Sequence, residues 1–354
     1  MAMQFGIFDH LERRRDVALD QQYEERLALL ARADEHGFYA YHLAEHHQSA
    51  LCMAPSQNVF LAAAARHTRR LKLGTAVMIL PFHHPLRLIE EICMLDQLSS
   101  GRLQVGVGRG ITAIEHNWWG HPPEEAQGRF EETLECLRLG LGGDTLSFRG
   151  KYFQFDEVAI ELRPKQTPYP PFWYAGSPEL AAQHGMHYLI GGGIERTAAR
   201  VVEYNALREA ASGAPNRVNG HIAAPLVGSS RHVFVADTDA EAERIARRAF
   251  RVYAGNFAKR GWAGPGPETR PDGTVVPLPG KGPGMGGDLD LAMKVEAALV
   301  GSPATVRAYV QAYAAQTGAN YFVGAFQWGD LTHAEAMRSL DLFAAEVMPA
   351  VSPA

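Results

Sequence analysis

Three consecutive residues with titratable side chains, Glu45, His46 and His47, end an apolar and aromatic run that begins at Gly37. The run has no acidic or basic side chain before its last residues apart from His42, so it predicts a short buried β-strand over residues 37–47. Side chains alternate along a strand, which places His46 on the same face as His42 and turns Glu45 and His47 the other way. Imidazole titrates near neutral pH, and His46 is therefore our candidate for proton transfer.

The same segment matches another pattern, because His42, Glu45 and His46 form the H-x-x-E-H string of some zinc peptidases. Two such histidines can share a metal ion only when a helix brings them to one face. Tyr39 and Tyr41 favour a strand, so we predict no metal site here. A purely structural pair of hydrogen-bonded histidines at a strand end is the other alternative to a catalytic role.

A second segment, Gly106-Val-Gly-Arg109-Gly110, ends another predicted strand. Glycines there let the backbone approach a flat ligand, and the guanidinium can bind phosphate. A turn with a solvent-exposed arginine is the alternative, since the segment does not fit the dinucleotide fingerprint. Gly176 and Ser177 open a predicted helix, where backbone N–H groups and the hydroxyl could bind an anion or simply cap the helix.

These residues are positioned by alternating strands and helices. Most of the segments between the apolar runs have the periodicity of amphipathic helices. Strands that alternate with helices along the chain predict a parallel sheet. Eight strands then give a single α/β domain over residues 1–354, a (β/α)8 TIM barrel with insertions, whose chemistry would lie at the carboxyl ends of the strands. The predicted strands cover residues 3–8, 37–47, 71–80, 103–107, 172–174, 188–190, 221–235 (interrupted at Gly-Ser-Ser) and 321–325.

Two segments depart from the alternation. Residues 115–162 are predicted to be an insertion, consisting of one long helix over 115–141 and a hairpin over 145–162. Gly261–Gly287 is rich in glycine and proline and is predicted to be a mobile lid beside the active site.

Composition limits the kinds of partner. The chain has 354 residues, 46% of them apolar, and its 34 basic and 39 acidic side chains give a net charge of -5 without a long basic run. Nucleic acid is therefore not an expected partner, and a small molecule is. Three cysteines without C-x-x-C spacing favour a reducing cytoplasm, and no apolar run is long enough to predict a membrane span.

Several segments together resemble the bacterial luciferase family of flavin-dependent monooxygenases, in particular chains of the luciferase α type. They are LAEHH at 43–47, GTAVMILP at 74–81, DQLSSGRLQVGVGRG at 96–110 and the tail GDLTHAEAMRSLDLFAAEVMP at 329–349. The resemblance covers most of the chain in one order and implies a luciferase-like barrel that binds reduced FMN.

The resemblance also assigns roles to residues. It places His46 beside the flavin, with Glu45 and His47 as its neighbours, and it implies a non-proline cis peptide between Ala76 and Val77 on which the flavin ring rests. Luciferase has a reactive cysteine where this chain has a glycine at 108, and a Ser-Trp where this chain has glycines from 191, so we expect neither light emission nor long-chain aldehyde specificity. The implied cofactor-binding residues are Ala76, Val77, Gly108, Arg109, Gly110, Arg129 (a second basic ligand), Gly176, Ser177 and Gly191.

The activity implied is that of a two-component monooxygenase. Reduced FMN, supplied by a separate NAD(P)H-dependent flavin reductase, would react with O2 and oxygenate a small, apolar organic substrate through a flavin C4a-hydroperoxide. A cytoplasmic homodimer is expected by analogy. Two alternatives stay open: a deazaflavin-dependent hydride-transfer enzyme of the same superfamily, and a non-catalytic flavin-binding barrel.

Overall fold

The computed structural model describes residues 3–258, 268–269, 275–276 and 287–351. The predicted lid, Gly261–Gly287, lies outside the described residues except for two short strands and Gly287. Within the described residues, no helix has the length and apolar character needed to cross a membrane.

Strands and helices alternate along the chain, as predicted. The strands are β1 (Gln4–Asp9), β2 (Ala40–Leu43), β3 (Lys72–Thr75), β4 (Met78–Ile79), β5 (Leu103–Gly108), β6 (Thr145–Arg149), β7 (Gln154–Ala159), β8 (Phe172–Tyr174), β9 (His187–Ile190), β10 (Val227–Val235), β11 (Glu268–Thr269), β12 (Val275–Val276), β13 (Ala298–Gly301) and β14 (Tyr321–Ala325). The α-helices are α1 (Leu19–Glu35), α2 (Gln57–His67), α3 (Pro85–Leu98), α4 (Ala113–Trp118), α5 (Ala126–Gly142), α6 (Pro178–His184), α7 (Ile194–Ala210), α8 (Asp239–Ala258), α9 (Leu289–Lys294), α10 (Pro303–Thr317) and α11 (His333–Glu346).

Eight of these strands form a closed parallel barrel, which confirms the predicted fold class. The order around the barrel is β1-β2-β3-β5-β8-β9-β10-β14, and β14 pairs with β1 again. Two short strands extend this sheet: β4 pairs with the end of β5, and β13 pairs with the last residues of β10. The main core lies between the strands and the outer helices, because the strand residues are buried and each helix turns its apolar side inward.

Four predicted boundaries are wrong. The strand predicted over 71–80 is two strands, β3 and β4, with Ala76 and Val77 between them. The helix predicted over 115–141 is two helices, α4 and α5, because the Gly-His-Pro-Pro sequence at 120–123 interrupts it and proline disfavours a helical conformation in the residue before it. The strand predicted over 37–47 is regular only at Ala40–Leu43, and its last residues leave the sheet to enter the cavity described below. The predicted strand seven begins only at Val227 and runs through Gly-Ser-Ser without a break.

Candidate active site

His42 belongs to the barrel interior rather than to the surface at the strand end. Its Nε2 lies 2.8 Å from the hydroxyl of Tyr321, and its ring packs edge-on against Trp173 with the centroids 4.8 Å apart. Burial lowers the pKa of His42 to about 3, so its imidazole is neutral. Because residues 40–43 form a strand, His42 and His46 do not share a helical face, and within the described residues no group of three histidine, cysteine, aspartate or glutamate side chains is arranged to hold a metal ion.

Glu45, which follows β2, has three hydrogen-bond partners. Its carboxylate is almost completely buried; Oε2 accepts a hydrogen bond from the backbone N–H of Ile79 at 2.8 Å, and Oε1 lies 2.8 Å from Nε2 of His47. His83 is the third partner, with Nε2 3.2 Å from both oxygens. Burial opposes ionisation, but the charge of His83 and the hydrogen bonds outweigh it, and the pKa of Glu45 lies below its ordinary value.

His46 and His47 point apart, as the alternation predicted. His47 packs against Trp119, with the ring centroids 4.2 Å apart, and against Phe82. His46 instead stacks on His10 at 5.6 Å, and its Nδ1 lies 3.8 Å from a carboxylate oxygen of Glu115. Only His46 of the pair therefore faces open space.

Glu115 is a site residue that the sequence did not reveal. It lies on α4, is 2% exposed, and accepts a hydrogen bond from the backbone N–H of His47 at 2.9 Å. Its carboxylate thus fixes the backbone between the two histidines and faces the ring of His46. A lone glutamate in a helix carries no local pattern, so only the fold brings it here.

A cavity of about 490 Å³ opens at the carboxyl ends of β1, β2, β5 and β8. One wall is the backbone at Ala76–Val77, whose peptide bond is cis, as the resemblance predicted. A side chain at 108 would fill the space beside this wall, since a Cβ there would lie 2.3 Å from a Val77 methyl group. The remaining residues of the cavity include predicted site residues: Glu45, His46, Gly108, Arg109, Gly110, Gly176 and Ser177.

The cavity has one cationic end. Arg109 is exposed there, and its Nη1 lies 3.5 Å from the amide oxygen of Gln127. Ser177 lies in the same lining and caps α6, where its Oγ accepts a hydrogen bond from the backbone N–H of Leu180 at 3.5 Å. This end can hold a phosphate by a guanidinium, a hydroxyl and backbone N–H groups.

Arg129, the predicted second basic ligand, does not line this cavity. Its Nη2 lies 2.9 Å from a carboxylate oxygen of Glu125, and its guanidinium lies over the ring of Tyr152 at 4.5 Å.

A second cavity, of about 460 Å³, adjoins the first. Phe8 and His46 line both cavities, so His46 stands at their junction. Gly191 belongs to the second cavity rather than to the first. The molecule thus offers two neighbouring spaces at the barrel mouth, with one imidazole facing both.

The first cavity has the features that a flat, phosphorylated ligand needs. Its cis-peptide wall and the adjoining glycine leave room for a flat ring system, and the cationic end can take a phosphate. Its volume lies within the range usual for cofactor and ligand sites. A (β/α)8 barrel with such a cavity at the carboxyl ends of its strands is an enzyme scaffold.

A profile of the family described as luciferase-like monooxygenase matches residues 3–321, and the chain belongs to that family. An uncharacterised protein, y4wF, of Sinorhizobium fredii is 37% identical over 92% of this chain and 91% of its own. The oxygenase component of flavin-dependent trigonelline monooxygenase from Acinetobacter baylyi is 29% identical over 72% of this chain and 71% of its own.

Solved structures agree with this assignment. The monooxygenase RslO1 from Streptomyces bottropensis superposes with a TM-score of 0.83 at 26% identity, covering 98% of this chain and 99% of its own. The oxygenating constituent of 3,6-diketocamphane monooxygenase from Pseudomonas putida, solved in complex with FMN, shares the fold with a TM-score of 0.77 at 21% identity over 99% of each chain. The protein is therefore an enzyme of the luciferase-like monooxygenase family.

Proposed function

We propose that the protein is the oxygenase component of a two-component, FMN-dependent monooxygenase that acts on a small organic substrate. The observation that carries this proposal is the first cavity, in which the cis peptide at Ala76–Val77, the ring of His46 and the guanidinium of Arg109 line one space. Each of these features has the character that a flat, phosphorylated cofactor requires.

The residues would divide the work of binding between them. Ala76 and Val77 would support the flavin ring, while Arg109, Gly176 and Ser177 would hold the phosphate at the other end. Gly108 and Gly110 would leave room for the ring edge. When bound, reduced FMN would supply the two electrons that let O2 transfer one oxygen atom to the substrate.

His46 would move a proton at the reacting atoms, since it faces both cavities and an imidazole ring can both donate and accept a proton. Glu45 and His47 would position it by fixing the loop after β2, and Glu115 would hold the backbone N–H of His47. The substrate would then lie on the side of His46 away from Arg109, in the second cavity.

Two partners belong to the proposal. A separate NAD(P)H-dependent reductase would supply reduced FMN, in line with the relative that is named an oxygenase component. A second copy of the chain would cover the outer faces of α2 and α3, where Val59, Met94 and Leu98 are 72%, 52% and 47% exposed. The three cysteines are free and buried, which suits a cytoplasmic protein.

Stopped-flow absorbance after mixing the protein and photoreduced FMN with O2 tests the proposal. We expect an oxygenated flavin that decays more slowly than free flavin reoxidises. His46→Gln should accelerate that decay by about 100-fold or more if the imidazole controls the proton, and its Kd for FMN should stay within about threefold of the wild type. His67→Gln, on the exposed end of α2, is the matched control and should change neither quantity.

Three outcomes would contradict parts of this. Oxidation of bound FMN at the rate of free flavin would remove the oxygenase role. Tight binding of a deazaflavin in place of FMN would support the hydride-transfer alternative, and binding of FMN without any reaction would support a non-catalytic barrel.

A further inference from the structure

The second cavity has a marked charge asymmetry. Among the described residues, its lining contains one arginine and three histidines but no aspartate or glutamate. The other lining residues are small or apolar: Phe8, Gly191, Gly192, Ser230, Tyr253, Phe257, Val295, Ala297 and Ala325. A space with this composition favours a ligand that carries a negative charge on an apolar body.

Arg231 is the cation of this cavity, and it is 2% exposed. Its Nε donates to the hydroxyl of Tyr309 at 3.0 Å, and its Nη1 donates to the backbone carbonyl of Ser230 at 2.8 Å. Its Nη2 has no hydrogen-bond partner in the described part of the chain. A buried guanidinium nitrogen without a partner is unfavourable, and a ligand carboxylate would supply what it lacks.

Neither of the two groups to which Arg231 donates a hydrogen bond carries a charge that would neutralise it. The Tyr309 hydroxyl donates in turn to Glu296 at 2.7 Å, so the carboxylate of Glu296 acts on Arg231 through an intervening hydroxyl. Glu296 also accepts the backbone N–H of Ile194 at 2.8 Å. These bonds hold the arginine in place and leave its Nη2 without an acceptor among the described residues.

His232, two positions from Ser230 on β10, adds a second polar group. It lines the same cavity, and its Nε2 is buried without a hydrogen-bond partner among the described residues. Burial lowers the pKa of His232 to about 4, although a hydrogen bond to the backbone of Ala297 acts in the opposite direction, so the ring is neutral at pH 7 and adds polarity to the cavity without charge.

The position of His46 indicates how a ligand bound at Arg231 would be oriented in the second cavity. Arg231 belongs to the second cavity only, whereas His46 lies at the junction with the first. A molecule anchored at Arg231 would extend past Tyr253 and Phe257 towards His46, and its far end would approach the space assigned to the flavin. The aromatic side chains suit an apolar body between the two ends.

We propose that the second cavity is the substrate site and that the substrate is a small organic monoanion, whose carboxylate binds Arg231 while its apolar body reaches towards His46. This inference rests on the proposed function for the identity of the reaction, but the acid preference of the cavity is a separate property. A single guanidinium with one unpartnered nitrogen matches one carboxylate, and the phosphate of FMN is already assigned to Arg109 in the first cavity.

Calorimetry with benzoate and its uncharged counterpart benzamide tests the inference on the full chain. We expect the wild type, saturated with FMN, to bind benzoate at least tenfold more tightly than benzamide at pH 7.5. Arg231→Gln should reduce this preference to less than twofold, and Arg231→Lys should retain part of it because the charge remains. The Kd for FMN should change by less than threefold in both variants.

Arg109→Gln is the crossed control, since it should weaken FMN and keep the preference for benzoate in the FMN-free protein. Equal binding of the two probes by the wild type would overturn the inference, and so would a preference that survives in Arg231→Gln or disappears only in Arg109→Gln. If Arg231→Gln does not fold, the wild type and Arg231→Lys decide. Acid preference without any FMN binding would leave this site standing and remove the proposed function, and FMN binding without acid preference would do the reverse.

Discussion

Oε2 of Glu45 accepts a hydrogen bond from the backbone N–H of Ile79 at 2.8 Å, which joins the end of β2 to β4. Ile79 follows Ala76 and Val77 by only a few residues, so the carboxylate that lies next to His46 in the chain also holds the wall of the first cavity. The same carboxylate contacts His47 and His83. One buried side chain thus connects the proposed proton donor to the proposed cofactor platform.

Replacing Glu45 should destabilise both the loop that carries His46 and the cavity wall at Ala76 and Val77. Glu45→Ala leaves a backbone N–H and two imidazoles without their acceptor, and we expect it to lower the free energy of unfolding by about 3 kcal/mol. Glu45→Gln keeps an acceptor for Ile79 but removes the charge, so its loss should be smaller. Urea denaturation measures both changes, and Glu161→Gln on the surface should stay within about 0.5 kcal/mol of the wild type.

The charge of Glu45 has a second, spectroscopic consequence. Burial lowers the pKa of His83, but the charge of Glu45 and its hydrogen bonds outweigh that effect and raise it above the ordinary value. Glu45→Gln should therefore lower the pKa of His83, which NMR titration of the ring protons would show. An unchanged titration would mean that the two side chains do not interact in solution.

Arg109 and Arg129 form a matched pair for testing the phosphate site. Arg109 lines the first cavity, whereas Arg129 is paired with Glu125 outside it. Arg109→Gln should weaken FMN by about tenfold or more, as expected for the loss of a charge-assisted hydrogen bond, and should leave riboflavin binding unchanged. Arg129→Gln should alter the FMN Kd by less than about twofold.

Fluorescence titration with FMN and with riboflavin measures the four constants. If both arginine variants lost the same affinity for FMN, Arg129 would be a second phosphate ligand, and the start of α5 would have to move when FMN binds. A loss for riboflavin as large as that for FMN in Arg109→Gln would place the arginine against the ring instead of the phosphate.

Glu12 makes the stability of the enzyme depend on pH. Its oxygens accept hydrogen bonds from the backbone N–H of Gly329 at 3.1 Å and from the Asn256 side chain at 3.0 Å, and burial raises its pKa to about 7. The folded chain therefore holds this proton more tightly than the unfolded chain does. Its contribution to stability is complete below pH 4.5 and is lost as the pH rises through 7, by about 3 kcal/mol in all.

Glu12→Gln should remove this loss, because an amide does not ionise. The difference in unfolding free energy between the variant and the wild type should then shift in favour of the variant by up to about 3 kcal/mol between pH 5 and pH 8. Denaturant titrations of both proteins at the two pH values measure it. Parallel pH profiles would show that Glu12 ionises in the folded chain as easily as in the unfolded one.

The barrel was predictable because most of its strands are continuous apolar runs, a pattern that parallel strands covered on both faces share. His46 and Arg109 were predictable for a related reason, since they follow such runs directly and the carboxyl ends of parallel strands meet at one edge. The cis peptide at Ala76–Val77 came from the family resemblance alone, and nothing in the local sequence indicates it.

Other residues of the site depend on contacts that no local pattern records. Glu115 lies on α4, which starts after an irregular loop, and it meets His46 only through the fold. Arg231 was inside a predicted strand, but nothing in the sequence of that strand indicates that it lines a cavity. The short strand β13 was missed because Ala298–Gly301 offers too few residues for a periodic signal.

The last prediction compares alanine substitutions at two glycines, one in a closely packed position and one with free space around it. A Cβ at Gly106 would lie 1.9 Å from the backbone oxygen of Thr75, the residue before the cis peptide, whereas a Cβ at Gly191 would meet nothing within 4 Å. Gly106→Ala must push β3 away from β5 and should cost about 1–3 kcal/mol of stability. It should also weaken FMN, since the wall formed by Ala76 and Val77 would move with Thr75.

Gly191→Ala places the same methyl group into free space and should change the free energy of unfolding by no more than about 0.5 kcal/mol. Urea denaturation and FMN titration of the two alanine variants separate the effects. If Gly106→Ala loses stability but binds FMN normally, the wall does not depend on the spacing between β3 and β5. If both variants have the same free energy of unfolding and the same Kd for FMN, β3 and β5 can move apart at Gly106 without a loss of stability.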